Sequence, residues 1–456
     1  MHARTLMFGL SMAALCAAIG TACAATIRVD ADARLQDVIE AATPGDTLIL
    51  PPARFLGPVT IDSAISLIGE PGATILGSGE GSVVTINAAD TILRGLRIEG
   101  SGSNLETMDS GVFVAATAKG ASVEDNEIIG NLYGIYLHGA AGSLARGNRI
   151  VGTKDRRFSE TGNGVTVWNA PGARVIDNTI SFGRDGIATN ASKRNVFNGN
   201  RFENLRFAIH YMYTNDSEIS GNISTGNSVG YAIMFSSRLK IIGNVSDGDR
   251  DHGLLLNYAN SSKITGNVVR GRLQNSDRWM ANGGAKEKPE HGLPAAQDTF
   301  AEGTTVRLGP EKCVFIYNAN KNRFRGNVFE GCSIGIHFTA GSEGNALSDN
   351  AFINNRNQVK YVGARYLDWS ENGRGNYWSD NSAFDLNGDG VGDNPYRPND
   401  LIDRVLWTAP QAKVLITSPA VQVIRFAQSR FPALLPGGVI DSHPLMMRPD
   451  DEDQQP

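Results

Sequence analysis

Asparagine recurs along this chain at a spacing that few folds can use. Among the asparagines that follow Gly or Asp, one series falls at Asn126, Asn148, Asn178, Asn200, Asn222, Asn244, Asn267, Asn327, Asn350 and Asn376. Most neighbours in this series are separated by one constant interval of about 22 residues, and self-similarity at such a period marks a solenoid, in which each repeat buries its apolar side only by stacking on the next. A second stripe follows eight to ten residues after most of these asparagines, as Gly134-Ile135-Tyr136-Leu137, Gly186-Ile187, Ala208-Ile209, Ala232-Ile233, Gly253-Leu254-Leu255-Leu256 and Gly335-Ile336. Each reads as a short strand of period two. A leucine-rich repeat would need Leu-x-x-Leu-x-Leu and a helical return, and the alternating β-branched residues, glycines and asparagines leave no room for that helix. The chain therefore reads as all-β, a single-stranded right-handed parallel β-helix whose coils stack about 4.8 Å apart, so that equivalent positions form ladders. The asparagine column is architectural, because asparagine accepts left-handed turns and stacked amides share hydrogen bonds. The 52 glycines among 456 residues fit a fold built of many tight turns.

The regions outside the repeat set the boundaries. Residues 1–25 read as a secretory signal peptide, with His2 and Arg4 ahead of an apolar run from Leu6 to Ile19 and the small residues Thr21-Ala22-Cys23-Ala24-Ala25 at the cleavage site. Cys23 opens a lipoprotein alternative, although Gly20 stands where a lipobox has a large aliphatic residue. No later run reaches the roughly 18 apolar residues of a membrane span, so an exported, periplasmic protein is expected. Arg34 to Ala42 carries apolar residues at helical spacing and would cap the first coil. The solenoid itself is assigned to 26–380, with an insertion loop at 272–310 rich in Gly, Lys, Glu and Pro. Residues 381–456 form an Asp/Gly loop and a partly helical C-terminal tail, with helical stretches expected at Leu401 to Trp407 and Ala420 to Phe431. Lys and Arg total 42 against 47 Asp and Glu, a net charge of −5, so there is no polybasic footprint and no nucleic acid partner is expected. Cys313 and Cys332, close in sequence and in an oxidising compartment, read as a disulfide rather than a metal pair.

Three constellations could carry chemistry. If Ile209 and Ile233 point inward, strand alternation turns His210 and Met212 outward together and sets Met234 one coil above His210. An imidazole with two thioethers suits Cu(I) and not Mg²⁺ or Ca²⁺, so His210, Met212 and Met234 are the candidate copper ligands, with His252 and Tyr258 of the next coil as extensions. The plainer reading is an apolar outer patch with a surface histidine. The second is Asp385, Asn387, Asp389 and Asp393, whose alternation resembles an EF-hand-type Ca²⁺ loop, although Tyr396 stands where the twelfth-position acid belongs. The third is Asp185 and Asp251 beside Arg184 and Arg250. Polysaccharide lyases and epimerases with a β-helix use clustered acids on Ca²⁺, but these two lie three coils apart, roughly 14 Å, and cannot share an ion.

Several segments together resemble the NosD family: Arg206–Asn222 (RFAIHYMYTNDSEISGN), Glu311–Asn327 (EKCVFIYNANKNRFRGN), Gly335–Asn345 (GIHFTAGSEGN) and Gly375–Tyr396 with its GNYWSD and DLNGDGVGD stretches. The similarity spans nearly the whole mature chain. It implies a pectin-lyase-like solenoid without catalytic activity, a periplasmic accessory protein needed to mature the copper centres of nitrous oxide reductase. It further implies docking on an ABC transporter built from the NosF ATPase and the NosY membrane subunit, and receipt of Cu(I) from the lipoprotein NosL. On that resemblance the tail from Leu401 to Phe431 and the final His443, Met446 and Met447 would suit docking on the transporter. A metal-free scaffold and a carbohydrate-active β-helix are the competing functions.

Overall fold

The computed structural model describes residues 24–154, 156–275, 306–339, 341–363, 365–399, 402, 405, 410–415, 418–430 and 438–449. The expected signal peptide up to Cys23, most of the 272–310 insertion and most of Leu401 to Trp407 lie outside the described residues. Within them the chain forms three long parallel sheets of 13, 12 and 13 strands. Consecutive strands lie in different sheets, and each pairs with its counterparts one coil before and one coil after. Val229–Met234, for example, lies between Phe207–Met212 and His252–Asn257. This is a parallel β-helix, as the period of the asparagines requires.

The asparagine column shows why the period holds. From Asn126 to Asn376, each Nδ2 donates to Oδ1 of the next asparagine at 2.8–3.1 Å. A second Nδ2 bond reaches a carbonyl, as from Asn222 to Phe197 at 2.9 Å, and each Oδ1 also accepts a backbone N–H. Every amide atom is thus used inside the buried core, where an unmet polar group would be costly. The preceding residue turns through the left-handed region, at φ 67° for Gly199, 60° for Gly221 and 55° for Asp177, which is why Gly or Asp stands there.

Both ends are closed. Helix Leu35–Ala41 buries Leu35 and Ile39, and Gln36 bonds the backbone of Thr60, covering the first coil. At the far end strand Gly438–Ile440 pairs with Tyr366–Asp368. It delivers Asp441, whose Oδ2 takes the Asn376 N–H at 2.7 Å, the Asn376 amide at 3.2 Å and the Trp378 indole at 2.8 Å. A carboxylate from the tail replaces the next asparagine, so residues 438–446 are part of the solenoid's end. Helix Pro419–Arg430 occupies most of the second expected helical stretch. The insertion leaves and returns through an antiparallel pair, Arg272–Asn275 with Val306–Gly309. Asn267 therefore still bonds Asn327 at 2.9 Å across 60 residues. Cys313 and Cys332 are joined in the core, with their Cα atoms 5.7 Å apart.

Candidate metal site

The six-residue strands set what faces outward. In Phe207–Met212, Ile209 and Tyr211 are fully buried in the core, whereas Phe207, His210 and Met212 are only partly buried on the outer face. His210 and Met212 thus share a face, about 7 Å apart along the strand. The neighbouring coil differs from the sequence expectation. His210 aligns with Ala232, and Met234 aligns with Met212. Met234 therefore sits above Met212, not above His210, because the Ala-Ile pair falls later in Val229–Met234 than in Phe207–Met212, and Ile233 pairs with Tyr211 instead of Ile209. The two thioether positions are adjacent rungs, about 4.8 Å apart. Asn190 Nδ2 lies 3.9 Å from Met212 Sδ on the other side.

His210 is held from behind. Its Nδ1 is 3.1 Å from Oδ2 of Asp185, a side chain only 2% exposed, and Arg206 grips the same carboxylate through Nε at 2.8 Å and a terminal nitrogen at 2.7 Å. Burial alone would raise the Asp185 carboxyl, but the His210 hydrogen bond and the Arg206 guanidinium outweigh it and hold it at about 2. An ionised carboxylate only accepts, so the Nδ1 that faces it carries a proton, and Nε2 is the ring nitrogen left for a metal. That Nε2 is shielded from water and has no hydrogen-bond partner. Phe207 packs edge-on against the ring with centroids 5.1 Å apart, and Arg206 lies over Phe207 at 4.3 Å. A buried polar atom left unmet costs about 1–3 kcal/mol, and such an atom calls for an explanation such as a bound ion. Its lone pair, beside two outward thioethers, forms a donor set that fits a soft monovalent cation.

The other sequence-derived residues do not join this group. His252 begins its strand and aligns with Val229 and Lys312, at the opposite end from the methionine column. Burial and the Lys312 charge depress it to about 4, and the same causes with Lys360 put His337 at about 3, so both are neutral imidazoles at pH 7. Tyr258 stacks on Phe235 at 5.2 Å, around the corner. Asp251 is paired with Arg250 at 2.8 Å. In the Asp/Gly loop the carboxylates serve the backbone: Asp385 accepts from Gly388 and Gly390, Asp389 from Val391, and Asp393 from Leu386, while Asn387 donates to Asp389. His443 is 3.1 Å from Ser370 Oγ, and Met446 bonds Gly390 through its backbone, both at the closed end of the solenoid. Among the described residues no three His, Cys, Asp or Glu side chains gather as a metal cluster. Sequence reasoning missed the service of Asp185 to His210; the signal was the ladder count, since Phe207, just ahead of the histidine, stands one repeat on from Asp185.

The family model described as periplasmic copper-binding protein (NosD) matches residues 148–383, which include this face. A Stutzerimonas stutzeri protein named probable ABC transporter binding protein NosD is 40% identical over 403 residues, 88% of this chain and 87% of its own. Its Pseudomonas aeruginosa namesake is 36% identical over 397 residues, 87% of each. Among solved structures, the Dettilon tailspike protein superposes with a TM-score of 0.50 at 17% identity, over 70% of this chain and 62% of its own, a likeness of fold alone. No helix among the described residues is long and apolar enough to cross a membrane. Matched along most of its length to relatives that carry the same name, the chain belongs to the NosD family of periplasmic copper-binding proteins.

Proposed function

We propose that this chain is a periplasmic assembly factor that carries Cu(I) as cargo on His210, Met212 and Met234, for the copper centres of nitrous oxide reductase. Residues 1–25 direct its export. It works beside an ABC transporter of the NosF and NosY type and takes copper from a NosL-type lipoprotein. The observation that carries the reading is the buried, unpartnered Nε2 of His210, oriented by Asp185 and sharing an outer face with two thioethers. Neutral nitrogen and thioether sulfur favour Cu(I) over the harder divalent ions. The copper-binding description of the family and the transporter-binding names of its relatives support the same reading. Asp185 and Asp251, the acids that a lyase or epimerase would need free, are both tied to arginines, which supports binding over catalysis.

The test is an anaerobic Cu(I) titration of the mature protein against a chromogenic chelator, beside the variant His210→Ala, Met212→Ala, Met234→Ala. The wild type should withdraw about one equivalent and the folded variant none. Equal withdrawal by both would remove this site, and withdrawal by neither would leave a metal-free scaffold.

A further inference from the structure

After the strands of this outer face the chain turns a corner through one left-handed residue. Along the solenoid these residues are Asn169 (φ 45°), Ala191 (51°), Tyr213 (51°), Phe235 (49°), Tyr258 (51°) and Asn318 (46°). Asparagine at either end of the run suits the conformation, but bulky side chains are disfavoured there. Three successive coils nonetheless place aromatics at the strained position. Their exposures are 54% for Tyr213, 39% for Phe235 and 42% for Tyr258, so the core gains little from them. They are ordered against each other instead: Tyr213 and Phe235 stack with centroids 5.1 Å apart and planes at 15°, and Phe235 and Tyr258 at 5.2 Å and 12°. Asn318 Nδ2 fixes the end of the stack by donating to the Tyr258 hydroxyl at 2.9 Å.

Rings stacked in this way spend their faces on one another and present their edges outward. The feature is a ridge rather than a platform on which a sugar ring could lie. Its two flanks differ. On one side Met212 and Met234 directly precede Tyr213 and Phe235, and the exposed Trp168 and Tyr317 stand in the same column beyond Asn190 and Asn257. On the other side six cations, Lys193, Arg194, Arg238, Lys240, Lys263 and Lys321, are exposed around two carboxylates: Asp216 pairs with Arg238 and also feels Arg194 and Lys193, and Glu218 pairs with Lys240. An excess of cations on one flank runs against the chain's net charge of −5.

We propose that the Tyr213–Phe235–Tyr258 ridge is a docking surface for a protein partner that offers an apolar groove edged with acidic residues. Conformational strain accepted at three exposed positions is what a preorganised recognition element requires, since ordered anchors lose little entropy on binding. Aromatic anchors supply the binding energy and the basic flank supplies steering and register. A seated partner would cover Met212 and Met234, so that arrival and metal transfer occur in one place. The docking itself does not depend on copper.

The test uses the mature chain, a ridge variant (Tyr213→Asn, Phe235→Asn, Tyr258→Asn) and a flank variant (Lys193→Glu, Arg194→Glu, Lys321→Glu). Asparagine is what this corner carries at Asn169 and Asn318, so the ridge variant should unfold at the same denaturant concentration as wild type or higher. A clear loss of stability would make the ridge a structural element and end the proposal. The binding probes are a labelled 16-residue amphipathic peptide with a leucine face and glutamates elsewhere, its lysine counterpart, and vesicles containing phosphatidylglycerol. The wild type should bind the acidic peptide, more weakly as salt rises, and each variant should bind it at least tenfold more weakly, with or without Cu(I). Binding of vesicles in place of the peptide would make the surface a membrane contact, and equal binding of both peptides, of neither, or by the variants would refute the ridge as an acidic-partner site.

Discussion

Replacing Asp249 with asparagine should stabilise this protein at neutral pH and leave it unchanged near pH 4. Asp249 is fully buried in a second internal column, where it accepts the Asn227 N–H at 2.8 Å, the Ser224 hydroxyl at 2.8 Å and the Ser246 hydroxyl at 2.6 Å. Burial pushes its carboxyl up to about 7 from 3.8, with these donors pulling the other way and failing to offset it. Between those two values the unfolded chain has released the proton and the folded chain has not. Stability must therefore fall as pH rises through this window, by about 1.4 kcal/mol per pH unit. Over roughly three units the total approaches about 4 kcal/mol, an upper figure for a side chain that relaxes on ionising. Asparagine occupies the corresponding place in other coils, as Asn131, Asn227 and Asn355 do, so Asp249→Asn should fit without strain. The measurement is urea unfolding of both proteins from pH 4 to pH 8. His252 and His337, held at about 4 and about 3 by burial, contribute the opposite slope, since a folded state that rejects protons gains stability as pH rises towards the unfolded histidine value. They are common to both proteins and cancel in the difference. A difference that grows from near zero at pH 4 to a plateau above pH 7 supports the reasoning, and one that is flat across the range refutes it.

Three further outcomes follow from the same geometry. Asn222→Ala removes the acceptor of two bonds from Asn200 and the donor to Phe197 and Asn244; it should cost about 3 kcal/mol in denaturant unfolding, since buried groups lose partners on both sides. Asp441→Ala withdraws the carboxylate that closes the ladder at Asn376 and Trp378; limited proteolysis should then release the segment after Asp441 while the coils before Asn350 stay resistant. Asp185→Ala should weaken Cu(I) binding by about 10–100-fold with the stoichiometry kept, because it frees the His210 ring without removing a ligand. An unchanged affinity in that titration would mean that His210 needs no orientation from behind.

What can be read from the sequence depends on which distance matters. The period of the asparagines and the alternation around Ile209 are local patterns, and both survive folding: the ladder runs unbroken from Asn126 to Asn376, and His210 and Met212 face outward. Matching Ala208-Ile209 to Ala232-Ile233 by identity misplaces the register between coils, setting Met234 over His210. Counting one full repeat, from Asn200 to Asn222, instead puts His210 on Ala232 and Met212 on Met234, as observed. The asparagine is the better ruler because its hydrogen bonds fix it, whereas an Ala-Ile pair can slide along the strand and still bury its isoleucine. Asp441 is illegible for another reason. It closes the ladder from 65 residues beyond Asn376, and no local pattern marks it as the next rung. The proton-rich Asp249 and the unmet Nε2 of His210 are likewise properties of burial, which a one-dimensional pattern does not report.

The register also sets the geometry of the proposed soft-metal site. Met212 and Met234 are one repeat apart in the chain and one rung apart in space, and their outward facing depends only on the ladder keeping step. Adding a single residue between Asn222 and Met234 would bring Ile233 to the outward position and push Met234 into the corner now held by Phe235, so length is constrained there however free the composition. The insertion between Asn267 and Asn327 shows where length is free: at a corner, where an antiparallel pair returns the chain to its point of departure. Tyr213 and Phe235 each occupy the corner residue directly after a methionine, so the face proposed to carry copper and the proposed docking ridge are set by one register. Shifting one without the other would require breaking the hydrogen bonds between Asn200, Asn222 and Asn244.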